Sequence, residues 1–340
     1  MFYFTNDYSE GACNQILENL SKTNYTQTPG YGVDIFCKQA EKMIREVTGQ
    51  SNADVHFITG GTPANVLAIT TLRPYEAVIC VETGHINTHE TGAVEATGHK
   101  ILQVPGKDGK ISPEQIEEMV LTHNDEHVVL PKMVFISNST ELGTIYTKDE
   151  LIAISNVCKK HNLYLYMDGA RLGTALVASG NDLTLKDIAS LVDMFYIGGT
   201  KNGALLGEAM VIINDELKPN FRNLIKQHCS MLAKGRIMGI EFITLFENNL
   251  YFELAKNAVA MAQQLSNLFK ENGIRLYTES PTNQIFPIMD NDLINRLSQN
   301  YGFETWCKYD DEHAVVRFVC SWATKQENID NFKKDFLSML

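Results

Sequence analysis

Three short stretches combine residue types that can do chemistry. Gly198-Gly199-Thr200-Lys201-Asn202-Gly203 sets an amine among small residues, directly after the apolar run Met194-Phe195-Tyr196-Ile197. Asp168-Gly169-Ala170-Arg171 sets a carboxylate and a guanidinium directly after Leu163-Tyr164-Leu165-Tyr166-Met167. Thr59-Gly60-Gly61-Thr62 is a Gly-rich turn directly after Val55-His56-Phe57-Ile58. Each stretch has an ordinary reading beside a functional one. Lys201 is either an exposed loop lysine or an amine whose lowered pKa lets it form a Schiff base. Asp168 either pairs with Arg171 or supplies a carboxylate to a protonated ring nitrogen. The glycine turn is either a common connection or a helix start whose amides and dipole favour a phosphate. It is not G-x-G-x-x-G, and Lys201 does not complete a P-loop, so nicotinamide binding and nucleotide hydrolysis have little support.

The surrounding elements place all three stretches on one edge. From about residue 54 the chain alternates short apolar runs with helical patterns. Thr62 is the expected N-cap and Pro63 the first residue of a helix continuing over 64–72. Ala77–Val81 and Met133–Ile136 are further apolar runs. Ser112-Pro113-Glu114-Gln115 has capping-box spacing and opens a helix through Val120. Residues 148–161 carry apolar positions at helical spacing. Continuous apolar strands alternating with helices predict an α/β fold, a mainly parallel sheet covered on both faces. Ligands of such sheets sit at the carboxyl ends of strands, where the three stretches fall. Residues 235–246 and 250–272 read as long helices. Strands near 285 and over 314–319, a helix near 293–297 and a terminal helix from Gln326 complete a smaller unit. The expected organisation is a large domain, 1–245, with an N-terminal arm and one amphipathic helix near 35–47, and a small C-terminal α+β domain, 246–340. A Schiff-base lysine, a carboxylate for a pyridine nitrogen and a phosphate cradle are together what pyridoxal 5'-phosphate (PLP) requires of a protein.

Composition narrows the classes further. With 340 residues the prior is about two domains, each long enough to bury a core unaided. The formal charge of −12 argues against nucleic acid and anionic membranes as partners. Seven cysteines without a C-x-x-C pair fit reduced thiols rather than a disulfide framework or a zinc site. His85/His89 and His123/His127 have i, i+4 spacing but no third ligand, so no metal is expected. No apolar run nears the ~20 residues of a membrane span. The N-terminus lacks a basic region followed by an apolar one, so no signal peptide is expected and the expected location is the cytoplasm.

The chain also resembles a known family. Gly61-Thr62-Pro63-Ala64-Asn65, Glu82-Thr83-Gly84-His85, Met167–Arg171, Gly199–Gly203, Thr282-Asn283 and Val316-Arg317-Phe318-Val319 are similar, in this order, to the motifs of low-specificity L-threonine aldolases. These belong to the aspartate-aminotransferase-like PLP enzymes (fold type I), and the resemblance runs from about Asp7 to the C-terminus. It implies a small amino acid as substrate and cleavage of a β-hydroxy-α-amino acid to glycine and an aldehyde. Lys201 would carry PLP, Asp168 would hold the pyridine nitrogen protonated, and His85 would stack on the ring. Gly61 and Thr62 would bind the phosphate, helped by Thr200. Lys234 or Arg236 would add positive charge, from a neighbouring subunit. Arg171 and Arg317 would grip the substrate carboxylate. Tyr31 and the Asn6-Asp7 arm would approach the site across an interface in a homodimer or homotetramer.

One departure concerns the base that acts on the β-hydroxyl. Glu141 stands where some family members carry a histidine, so His85, Glu141 and a water are all candidates. Asp168 and Lys201 would equally serve a PLP-dependent β-eliminating lyase or an aminotransferase. A noncatalytic PLP-fold binding protein is the remaining alternative.

Overall fold

In the computed structural model, which describes residues 1–340, the apolar runs form one seven-stranded sheet. Its order is Asp54–Ile58, Glu208–Ile212, Met194–Gly198, Tyr164–Asp168, Leu130–Ser137, Glu76–Val81 and Lys100–Val104. Glu208–Ile212 runs antiparallel to both neighbours. The remaining pairs are parallel. The strand residues alternate between two cores. Phe195, Ile197, Leu165 and Met167 join one core, and Met194, Tyr196 and Tyr166 join the other. Both faces are therefore covered, each fully buried large apolar side chain being worth roughly 1.5–3 kcal/mol.

The helices start and stop on local chemistry. Asp34 caps Ile35–Thr48 by accepting the Phe36 and Cys37 amides, and Gly49 ends it at φ 68°. Capping boxes open Pro113–Thr122, Lys148–Lys160 and Leu185–Leu191. Arg236–Phe246 lies close against Ile35–Thr48, because a Cβ on Gly239 would come within 2.6 Å of the Cys37 nitrogen.

Several elements depart from expectation. The helix after the first strand is Gly61–Ile69, with Gly60 at the cap position. Thr62 thus sits in its first turn, not at its N-cap. With no side chain on residue 60 or 61, the helix begins as soon as the strand ends, beneath the Tyr196 hydroxyl. It also ends three residues before Leu72. Strands Lys100–Val104 and Glu208–Ile212 escaped the sequence reading, as did the amphipathic helix Asn14–Thr23. Lys100–Val104 is a sheet edge with interrupted apolarity, and Glu208–Ile212 begins on a charge.

A third core holds the C-terminal elements. Phe269, Ile285, Phe318, Phe332 and Phe336 pack there around a small antiparallel sheet built on His313–Val319. Phe4 is part of this core, and Phe2–Tyr3 pairs in parallel with Tyr301–Gly302. The first residues of the arm therefore join the C-terminal core instead of the larger unit. Helix Leu250–Glu271 links two cores, with Tyr251 in the first and Ala262, Leu265 and Phe269 in the third. No helix is long and apolar enough to cross a membrane.

Candidate active site

Asp168 ends its strand and Lys201 follows the next one, so parallel pairing brings both to the same sheet edge. Main-chain contact holds the two turns together. The Gly198 amide donates to the Gly169 carbonyl at 3.0 Å. A Cβ on Gly169 would lie 1.8 Å from the Tyr196 carbonyl oxygen, and one on Gly198 would lie 2.4 Å from that of Ala170. Glycine is required at both positions by this close approach.

The Asp168 carboxylate is 5% exposed and held by three donors. The Ala170 amide donates to Oδ1 at 2.9 Å, the Tyr196 hydroxyl donates to the same oxygen, and Asn65 Nδ2 donates to Oδ2 at 3.0 Å. Tyr166 donates to Asn65 Oδ1 at 2.8 Å, which turns the Asn65 amide nitrogen toward Asp168. Asn65 Nδ2 also donates to Glu90 Oε1 at 2.7 Å, and that oxygen lies 2.8 Å from His85 Nδ1. A single polar network thus joins Asp168 to His85, with His85 Nδ1 committed to Glu90. The Glu141 carboxylate accepts the His85 amide at 2.9 Å and the Ser137 hydroxyl at 2.7 Å. Burial raises its pKa, against the pull of these bonds.

Lys201 has no hydrogen-bonding or ion-pair partner among the protein side chains, and its Nζ lies 5.8 Å from the centre of the Tyr8 ring. Burial and then the Arg171 charge lower its pKa, against the opposing charges of Asp7, Asp168 and Glu208. An amine so placed is a competent nucleophile. Beside it, the Gly207 amide donates to Thr200 Oγ1 at 3.0 Å. Lys201, Asp168, His85, Glu141, Arg171, Thr200 and the Thr59–Thr62 turn all line one cavity of about 410 Å³. The first-turn amides of helix Gly61–Ile69 have no intrahelical partners and open this cavity to an anion.

Other expected site residues lie elsewhere. Arg171 does not pair with Asp168; it binds Asp7, which leaves the Asp168 carboxylate to its three donors and the cavity. Asn6 stays outside the cavity. Its Oδ1 accepts the Tyr8 amide at 3.0 Å and so shapes the turn that brings Tyr8 over Lys201. Arg317 is not part of the cavity lining but lies close enough to Arg171, Asp7 and Tyr8 to feel their charges; it is paired with Glu304 and is 5.3 Å from the Trp306 ring centre. Tyr31, Lys234 and Arg236 are outside the cavity of their own chain. The loops that carry them are docked on each other: the Tyr31 amide donates to the Ala233 carbonyl at 3.0 Å. Arg236 is engaged with the Thr23 and Thr26 carbonyls.

Tyr8, Asn65, Glu90, Tyr196 and Glu208 carry no role in the sequence reading. Tyr196 is indistinguishable from core in an apolar strand. Glu208, a charge opening a run of apolar residues, was the visible signal.

PLP fits this set of donors. It needs a partnerless amine, a buried carboxylate and free amides in one cavity, and Lys201, Asp168 and the Gly60–Thr62 turn provide them. Fold and site together define a PLP-dependent enzyme of the aminotransferase-like fold. Residues 7–292 match the sequence profile of the beta-eliminating lyase family. The chain is 33% identical to a low specificity L-threonine aldolase of Pseudomonas sp. (strain NCIMB 10558), over 99% of this chain and 97% of the relative. A solved structure of Leishmania major threonine aldolase superposes with a TM-score of 0.98 and 47% identity, covering 100% of this chain and 99% of the other. Thermus thermophilus aspartate aminotransferase (a single mutant) shares the fold alone, with a TM-score of 0.74 and 14% identity over 100% of this chain and 92% of the other. The chain belongs to the beta-eliminating lyase family, among its low-specificity L-threonine aldolases. It is thereby a PLP-dependent carbon–carbon lyase.

Proposed function

We propose that this enzyme cleaves L-threonine, L-allo-threonine or a related β-hydroxy-α-amino acid between Cα and Cβ, giving glycine and an aldehyde. The observation that carries this reading is the partnerless Lys201 amine, which shares one cavity with Asp168, His85 and Arg171. Lys201 would hold the cofactor covalently, Asp168 would accept from its pyridine nitrogen, Gly61, Thr62 and Thr200 would bind its phosphate, and His85 would cover the ring. When bound, PLP supplies an electron sink for the pair left on Cα. Arg171 and Arg317 grip the substrate carboxylate, which sets the Cα–Cβ bond in its breaking orientation. Such positioning is worth roughly 7–11 kcal/mol of barrier at its limit. His85 Nε2, left free by the Nδ1 contact to Glu90, takes the β-hydroxyl proton, and Glu141 fixes the backbone of His85.

The active form is a homodimer or homotetramer, in which Tyr31, Lys234 and Arg236 serve a neighbour's site. The apolar side chains that the same segment exposes, Tyr25, Tyr31, Val33 and Ile35, support this. The seven free thiols support a cytoplasmic location. The division into units 1–245 and 246–340 is kept, with the first four residues reassigned to the smaller unit.

The deciding experiment compares the purified protein with Lys201→Ala. The wild type shows cofactor absorbance in the visible region that changes on adding threonine or glycine, and forms glycine and aldehyde. Lys201→Ala shows neither the absorbance nor cleavage. Full activity in that variant, or a keto acid and ammonia as products of the wild type, would reject the proposal.

A further inference from the structure

Glu208 has no role in the reaction as described so far. It is 4% exposed and lies in a strand where every residue is buried. Its strand pairs on both sides, with Ile58 opposite on one and Gly198 on the other. It therefore sits between the turn that carries Gly60–Thr62 and the turn that carries Lys201. Oε2 accepts the Gly199 amide at 2.8 Å. The Gly207 carbonyl, one residue before Glu208, accepts the amides of Gly199 and Thr200, each at 3.2 Å. These bonds tie the lysine turn to the antiparallel strand. A neutral side chain could do that much. A carboxyl group has a further consequence here, because it also lines the cavity together with Lys201 and Asp168.

We propose that Glu208 is a positioning residue for Lys201: it fastens the lysine turn and supplies one of the negative charges that hold a proton on the Lys201 nitrogen. The inference rests on the reading above only in taking Lys201 as the cofactor-bearing residue. The ionisable groups around Glu208 are Lys201, Asp168, Glu241, Tyr166, Tyr196 and Tyr251. Lys201 is the only cation among them. Burial pushes the Glu208 carboxyl up to about 7, against the pull of the Gly199 and Thr200 hydrogen bonds and of Lys201. The group is thus an anion on the alkaline side of about pH 7.

The test reads the lysine directly. Cofactor-free wild type and Glu208→Gln are labelled with an amine-acylating reagent over a range of pH, and modification of the Lys201 peptide is followed by mass spectrometry. Loss of an adjacent negative charge lowers the midpoint of the Lys201 profile by about one pH unit or more. Glu208→Asp restores part of that shift. In cofactor-loaded protein, the pH dependence of the visible absorbance moves in the same direction. A Glu208→Gln midpoint within about 0.2 pH unit of wild type, in protein of unchanged melting temperature, overturns the proposal. If Glu208→Gln does not fold, the Glu208 carboxyl is titrated by carbon-13 NMR in wild type and in Lys201→Met. Its pKa rises in the variant if the two groups interact, and equal values overturn the proposal. Failure of the aldolase reading shows differently, as the absence of cofactor absorbance or glycine formation in the wild type itself.

Discussion

Asp7 grips Arg171 along one edge of its guanidinium. Arg171 Nε donates to Asp7 Oδ2 at 2.8 Å and NH2 donates to Oδ1 at 3.1 Å, while Asn283 donates to Oδ2 at 2.8 Å. No hydrogen bond commits Arg171 NH1 to the protein. The pair is buried, with the Asp7 side chain 1% exposed and that of Arg171 12%. An arginine held in this way keeps a fixed donor for a carboxylate in the cavity.

Asp7→Asn should therefore weaken substrate binding more than turnover. The variant leaves Arg171 buried without its counter-charge, which costs about 3–5 kcal/mol. KM for the amino acid rises while the cofactor spectrum persists. The pair also sets a pH dependence. Burial raises the Asp7 pKa, but the Arg171 and Lys201 charges and the bonds from Arg171 and Asn283 outweigh it, and the net shift is downward. The stabilisation is then fully present above the unfolded value near 3.8 and is lost as pH falls through the lower folded value. Urea unfolding followed across the acidic range should show this loss in the wild type and a weaker one in Asp7→Asn.

Asp168→Asn and Tyr196→Phe separate the charge at the ring nitrogen from its support. Asn cannot hold a proton on a pyridine nitrogen as a carboxylate does, and turnover should fall by about 10²–10⁴. Tyr196→Phe removes one of three donors to Asp168 and should cost about fivefold, in line with ~1 kcal/mol per hydrogen bond. Steady-state kinetics with saturating PLP measure both. Equal losses in the two variants would contradict this division of roles.

Glu241 is wholly buried, and neither of its carboxylate oxygens has a hydrogen-bond partner. Burial raises its pKa to about 8, and the nearby Leu205 and Leu206 amides offset only part of that. The folded state then binds a proton that the unfolded chain gives up near pH 4.5, so stability falls as pH rises from there through about 8. Glu241→Gln should abolish this slope and gain on the order of 3 kcal/mol over wild type at pH 8. Chemical denaturation at pH 5, 6.5 and 8, values spanning this window, tests it.

Gly198→Ala should uncouple stability from cofactor binding only slightly, because both depend on the same contact. The added methyl meets the Ala170 and Gly169 carbonyl oxygens at 2.4 and 2.7 Å, and main chain must move to admit it. A cost of about 1–3 kcal/mol is expected, with weakened retention of PLP on dialysis. The melting temperature and the ratio of bound cofactor to protein report the two effects.

Much of this site was legible because strand ends concentrate chemistry. The runs before Thr59, Asp168 and Gly198 are apolar throughout, and each ends in glycine and polar residues, so period and punctuation agree. Lys201, Asp168 and Gly61 follow from that pattern alone. The supporting network did not, because Asn65, Glu90 and Tyr196 sit in helix or core contexts that polar or aromatic residues often occupy for packing. Their roles arise from tertiary geometry. The pairing of Arg171 could not be read either. Asp168 is three residues away, while Asp7 is separated by 164 positions, and only the folded arm decides between them. Glu208–Ile212 was missed because its strand starts on an acid that lines the cavity.

Phe2–Tyr3 adds to the strand Tyr301–Gly302, Phe4 is sunk among the C-terminal phenylalanines, and Asp7 and Tyr8 follow within a few residues. A swing of the C-terminal unit would carry these residues with it, so the grip on Arg171 and the ring over Lys201 would travel as one piece with Arg317. The first residues and the C-terminal core are thus one packed unit, and a bulky fusion on residue 1 would press on it. Fusions for purification or display belong after Leu340, where the terminal helix ends in solvent.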